Sequence, residues 1–157
     1  MADQQTKQII LNRFAGEGIP ADRIILVPQQ IELARHFEYY SNVDLGLDTF
    51  TYNGTTTTCE ALWMNVPVLT LEGKTHIARV GASLLTNAGL PQMVATTPEQ
   101  FVQLAVKYAT DHAALVELRR GLRQKFHTSA VMDGKRFAAE FGASLRTMWR
   151  QWCANPK

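Results

Sequence analysis

The sequence holds few of the features that settle a fold or a function at once. Its two cysteines, Cys59 and Cys153, form no CxxC pair and no metal-ligand spacing. A disulfide framework and a cysteine-built zinc site are therefore excluded. No apolar run reaches the roughly 20 residues that span a bilayer. The polar start, Met1-Ala2-Asp3-Gln4-Gln5, carries no signal-peptide core. Neither sign of charge is in excess: Lys+Arg is 16, Asp+Glu is 14 and the net charge is +2. That balance gives no broad field for a nucleic acid or an anionic membrane, so neither is expected as a partner. Internal repeats, linkers and charge blocks are absent, as is an Asp-x-Asp metal motif. What remains is 157 residues, 46% hydrophobic and 19% charged. That is enough chain for one domain with a true core, and too apolar for a disordered tail. A reducing, cytoplasmic setting is the expectation, with both thiols as packing residues.

Helical and strand patterns alternate along the first part. Residues 4–14 place Ile9, Ile10 and Phe14 on one side, an amphipathic helix ended by Gly16, Gly18 and Pro20. Residues 23–27 form a short β-branched run that predicts a strand buried on both faces. Helical spacing returns over 31–40. A second strand is expected over 43–48 and a third over 66–71, with Pro67 at its start, where a lost N–H is tolerated. Between them a polar loop runs into Ala61-Leu62-Trp63-Met64, a short helix broken by Asn65. Residues 77–87 are helical, and 90–94 offer a fourth strand. Beyond that the chain reads as helices. Thr97-Pro98-Glu99-Gln100 has the residues of a capped helix start. One helix is expected over 113–126, and a last one follows Asp133 with Phe137, Phe141, Leu145, Met148, Trp149 and Trp152 on one face. That aromatic stripe reads as core. Arg119, Arg120, Arg123 and Lys125 read as a solvated helix face, and His112 and His127 as surface residues.

Short, continuously apolar strands separated by helices predict an α/β fold: a Rossmann-like three-layer α/β/α arrangement around a parallel sheet. The whole of 1–157 is expected to be one lobe, a β/α core to about residue 95 with a helical tail after it. Since the chain opens on a helix, a first strand is expected upstream of it.

Ligands of such sheets gather beyond the carboxyl ends of the strands, where helices begin. The segment Asp48-Thr49-Phe50-Thr51-Tyr52-Asn53-Gly54-Thr55-Thr56-Thr57-Thr58-Cys59-Glu60 lies there. Gly54 permits close backbone approach. Threonines at a helix start present hydroxyls beside free N–H groups and the positive end of the helix dipole, a cradle for a phosphate or pyrophosphate without a lysine. Glu60, about one turn in, could accept hydrogen bonds from a ribose diol. The plainer reading is an ordinary helix start, because threonine is a good N-cap and an early glutamate stabilises any helix. Four threonines exceed what one cap requires. His76 and Arg79 flank another helix start at the same edge, where an imidazole and a guanidinium could meet phosphate charge or simply be solvated.

The run Val43-Asp44-Leu45-Gly46-Leu47-Asp48-Thr49-Phe50, then Tyr52 through Met64, then Val66-Pro67-Val68-Leu69-Thr70-Leu71, resembles the catalytic region of the SPINDLY / O-GlcNAc transferase family, glycosyltransferase family 41. His76, Arg79-Val80-Gly81-Ala82-Ser83-Leu84-Leu85 and Gly89-Leu90 continue the likeness to bacterial SPINDLY-like members, and it covers roughly residues 8–152. The resemblance implies the C-terminal, donor-binding lobe of a GT-B fold. It puts Thr56 and Thr57 at the donor diphosphate and Glu60 at the ribose. Thr55 takes a place that is threonine in SPINDLY-like members and histidine in animal O-GlcNAc transferases. Gln30 falls near the backbone that reads the base edge. His36, which read alone is a packing histidine beside Phe37, falls close to the nucleotide.

The implied activity is inverting transfer of a sugar, from UDP-GlcNAc or a similar donor such as GDP-fucose, to Ser or Thr of a protein acceptor, with no metal and no cofactor. Main catalytic groups belong to an N-terminal lobe, and tetratricopeptide repeats accompany the family. Its phosphate-contacting lysine lies on a strand that would precede residue 1, and neither Lys7 nor Lys74 matches it. Two other readings stay open: a noncatalytic interaction module that keeps the fold, or another GT-B enzyme such as a sugar-nucleotide epimerase.

Overall fold

A computed structural model describes residues 4–28 and 32–154. The chain divides into two compact units, residues 1–38 and 39–157.

The first unit holds helix α1 (Gln4–Gly16), a short 3-10 turn (Ala21–Arg23) and most of α2 (Leu33–Tyr39). None of its described residues is buried. The strand expected over 23–27 is not formed. Ile24 has extended dihedrals, φ −114° and ψ 119°, but no described strand pairs with this stretch, and Ile25 is 85% exposed. Extended backbone becomes a strand only when a neighbour takes its hydrogen bonds. Gln30 lies outside the described residues.

The second unit carries a three-stranded parallel sheet, order β1 (Gly46–Leu47), β2 (Val68–Leu71) and β3 (Val94–Ala95). Gly46 pairs with Val68 and Thr70 with Val94. β2 is central, which explains its unbroken apolar run: Val68 joins a small cluster with Ala61 and Val66, while Leu69 joins the main core with Leu62, Leu85, Leu90 and Met93. The main core continues into the helical part through Phe101, Tyr108, Leu115, Leu122 and Phe126. The strand expected over 90–94 is instead a 3-10 turn, Pro91–Met93, followed by the two residues of β3. Pro91 has no N–H to give a ladder.

The remaining α-helices among the described residues are α3 (Thr56–Trp63), α4 (Val80–Asn87), α5 (Pro98–Thr110), α6 (His112–Arg119), α7 (Leu122–His127) and α8 (Gly134–Ala154). At the start of α5 the Thr97 side chain accepts from Gln100 N at 3.2 Å, and Gln100 Oε1 accepts from Thr96 N at 2.7 Å. The expected capping pair therefore forms one residue out of register on its return bond. Thr97→Ala is expected to lower stability by about 1 kcal/mol in a thermal melt.

Three other expectations are corrected. The helix expected over 113–126 is two, because Gly121 adopts φ +72°, a conformation that no helix continues through. The basic cluster is not all solvated. Arg119 Nη1 donates to Val43 O at 2.9 Å and to Asp44 Oδ1 at 3.0 Å. Arg123 donates from its backbone N to Asn65 Oδ1 at 2.9 Å and from Nε to Trp63 O, tying α7 to the end of α3. Asn65 itself sits at φ +59°, where asparagine is tolerated. Finally, α8 buries no residue: Phe137, Trp149 and Trp152 are 65%, 66% and 58% exposed. Asp133 does cap it, accepting from Arg136 N at 2.9 Å. Of the two thiols, Cys59 packs on the core, while Cys153 is exposed. No described helix is long and apolar enough to cross a membrane.

Candidate functional site

The carboxyl ends of β1 and β2 release the chain into the loop 48–55 and into the turn that leads to α4. One side chain organises this edge. Asp48, the residue after β1, accepts from Thr49 N at 3.0 Å and Gly54 N at 2.8 Å through Oδ1, and from Thr70 Oγ1 at 2.7 Å through Oδ2. Asn53, 2% exposed, is the second anchor. It donates from Nδ2 to Thr49 O at 3.1 Å, accepts from Gly81 N at 3.2 Å, and gives its own N–H to Ile77 O at 3.0 Å. The loop is thereby tied to both strands' ends and to the first turn of α4. Phe50 adds an edge-to-face contact with Phe101, ring centroids 5.0 Å apart.

This anchoring presents the start of α3. Thr58 turns inward and donates to Gly54 O at 3.0 Å. Thr55, Thr56 and Thr57 remain exposed. Thr55 occupies the cap position but its side chain makes no cap hydrogen bond, and the N–H groups of Thr56 and Thr57 have no partner among the described residues. Hydroxyls, free amides and the helix dipole thus face outward together. Gly54 is needed for the bend, since a Cβ there would lie 2.7 Å from Thr57 Oγ1 and 2.8 Å from Thr58 Oγ1.

Thr55 shares a hollow of about 490 Å³ with His76, Arg79, Val80, Ser83 and Leu84. The structure therefore gathers Thr55, His76 and Arg79 at one place. Arg79 also pairs with Glu72, Nη2 to Oε1 at 2.9 Å, across a largely exposed contact, so its guanidinium is held near the end of β2. Glu60 stands on α3, half-buried, and accepts from the Tyr40 hydroxyl at 3.4 Å. Burial, then the charge of Glu60 and the hydrogen bond to it, raise the Tyr40 pKa above the ordinary tyrosine value. Burial, reinforced by Glu60, likewise raises the Cys59 thiol, which favours the thiol over the nucleophilic thiolate. His36 lies in the first unit, on α2, half-buried and edge-on to Phe37. Among the described residues no group of three or more His, Cys, Asp or Glu side chains could hold a metal ion.

Asp48, Asn53 and Gly81 were not singled out by sequence reasoning. A signal existed for Asp48, an acidic residue directly after an apolar strand at the ligand edge. Nothing local marks Asn53, whose partner Gly81 is 28 residues away.

A family model described as Glycosyl transferase family 41 matches residues 3–141. The chain is 42% identical over 147 residues to a probable UDP-N-acetylglucosamine–peptide N-acetylglucosaminyltransferase SPINDLY of Hordeum vulgare, covering 94% of this chain and 16% of that protein. It is 31% identical over 109 residues to the UDP-N-acetylglucosamine–peptide N-acetylglucosaminyltransferase of Caenorhabditis elegans, covering 69% of this chain and 10% of that protein. The solved structure of a lysine-to-methionine mutant of Thermobaculum terrenum O-GlcNAc transferase superposes with a TM-score of 0.87 at 35% identity, over 97% of this chain and 29% of that one. The α/β lobe expected from the motif is thus the observed architecture. This chain spans only a small part of the length of its relatives. Threonine-rich helix start, parallel sheet and a match across residues 3–141 lead to one conclusion: the chain belongs to glycosyl transferase family 41.

Proposed function

We propose that residues 1–157 are the donor-binding lobe of a nucleotide-sugar-dependent protein O-glycosyltransferase. The reaction moves a sugar, N-acetylglucosamine from UDP-GlcNAc being the foremost case, to a Ser or Thr hydroxyl of a protein. The observation that carries this reading is the start of α3: Thr55, Thr56 and Thr57 exposed beside free amides, next to the hollow that His76 and Arg79 line. As the glycosidic bond breaks, negative charge builds on the leaving diphosphate. Fixed donors aimed at that charge stabilise the transition state more than the ground state. In this reading Thr56 and Thr57 hold the diphosphate, His76 and Arg79 add positive charge or hydrogen bonds, and Glu60 takes the ribose. Gln30 and His36 serve the nucleotide's base end. Charge is met by these groups and not by a metal or a cofactor. The acceptor and the proton-handling groups come from an N-terminal lobe of the parent protein, with tetratricopeptide repeats recruiting the acceptor in a cytoplasmic setting.

Calorimetric titration with UDP, GDP and their sugars tests the reading and identifies the base. The Thr56→Ala/Thr57→Ala pair is expected to weaken binding by about 1–3 kcal/mol, the value of hydrogen bonds to a charged ligand. Undiminished binding in that variant would remove the hydroxyls from the site. Conversion of the free sugar nucleotide without an acceptor would point to an epimerase instead.

A further inference from the structure

Tyr40 opens the 3-10 turn Tyr40–Asn42 that leads towards β1. Its ring packs with Ala61, Val66 and Val68, so the core fixes where the phenol can be. The hydroxyl lies 3.4 Å from Glu60 Oε2 and 3.4 Å from Thr57 O. It therefore stands between the carboxylate of Glu60 and the turn of α3 that carries the exposed threonines, with its one O–H within reach of either oxygen. Its raised pKa keeps the phenol a donor across physiological pH. A glutamate side chain has three rotatable bonds, and holding a diol requires its oxygens to face one way. A rigid, two-torsion phenol on one oxygen supplies that restraint before any ligand arrives.

We propose that Tyr40 is the positioning residue for Glu60, setting the carboxylate for a ribose diol and so fixing how strongly the site prefers ribose over deoxyribose nucleotides. This rests on the reading of Glu60 as the ribose-binding group. Tyr40→Phe keeps the ring in its apolar pocket and removes only the hydroxyl.

The test is calorimetry of the full chain with UDP, 2′-deoxy-UDP, GDP and 2′-deoxy-GDP. For the preferred base, Tyr40→Phe is expected to weaken the ribonucleotide about five- to tenfold and the deoxyribonucleotide less than about twofold. In a Glu60→Ala background, Tyr40→Phe should produce no further change. An unaltered ribose preference in Tyr40→Phe, at an unchanged melting temperature, overturns the proposal and leaves the donor site standing. Failure of the unsubstituted chain to bind any of the four nucleotides overturns the reading of the site, and this proposal with it. A ligand-free measurement runs alongside. Glu60→Gln should return the Tyr40 phenol towards the ordinary value of about 10 in an NMR titration of the tyrosine rings. A phenol pKa that stays where it was overturns the Tyr40–Glu60 coupling.

Discussion

Asp48→Ala is expected to lower the melting temperature by roughly 6–12 °C, the equivalent of about 3 kcal/mol in a chain of this size. The carboxylate accepts three hydrogen bonds, from Thr49 N, Gly54 N and Thr70 Oγ1. Hydrogen bonds to an ionised acceptor are the strong ones, and losing the acceptor strands its donors. Thr70 is 0% exposed, so its hydroxyl has no water to turn to. Asp48→Asn separates shape from charge. The amide fits the same space: its oxygen can keep Thr49 N and Gly54 N, and its NH2 can donate to the Thr70 hydroxyl, which turns from donor to acceptor. The charge is lost and the bonds weaken. An intermediate loss is therefore expected. Because Asp48→Ala releases Gly54 N, the bend before Thr55 slackens in that variant, and nucleotide affinity should fall along with stability. Differential scanning calorimetry of the two variants reads the first effect. A melting temperature within about 2 °C of the unsubstituted chain would remove Asp48 from its organising place.

Gly81→Ala carries the second large effect. A Cβ at this position would lie 2.4 Å from Thr70 Oγ1, 2.5 Å from Asp48 Oδ2 and 3.0 Å from Thr70 Cβ. None of these atoms is the loose end of a long side chain. Thr70 is fixed in β2, and Asp48 is held by its three donors. The clash must push α4 off the strand ends, stretching the Gly81 N to Asn53 Oδ1 bond as it does so. Overpacking of this kind costs typically 1–3 kcal/mol, and the added bond loss places Gly81→Ala near the upper end, about 3 kcal/mol, in urea unfolding. Gly142→Ala is the control. Its Cβ meets only Arg146 Nη1, at 3.7 Å, and it sits inside α8, where alanine is the better helix former by roughly 1 kcal/mol. The two substitutions should therefore move the unfolding midpoint in opposite directions.

Several elements were legible because their causes are local. The apolar run of β2, the Pro98 start of α5 and the Asp133 cap of α8 depend on residues within about four positions of each other. The threonine run was legible as a helix start for the same reason. The failures are equally physical. Residues 23–27 have the composition of a strand, but composition cannot supply the neighbour that a ladder needs. The stripe on α8 has the spacing of a buried face, yet spacing states that a face is apolar and not what covers it. Gly121 lay within a plausible helix until its φ of +72° divided it.

The order of residues by itself determined the α/β pattern, the family motif and the place of Thr55, Thr56, Thr57 and Glu60 at a helix start beyond a strand. Periodicity, capping and turn chemistry act over a few residues, so they can be read from a line of text. Tertiary structure alone decided that Asp48 would reach Thr70, 22 positions on, that Asn53 would hold Gly81, and that Tyr40 would meet Glu60, 20 positions on. Those partners are chosen by how β1, β2, α3 and α4 pack, and packing is a property of surfaces meeting in space, where distance along the chain carries no information.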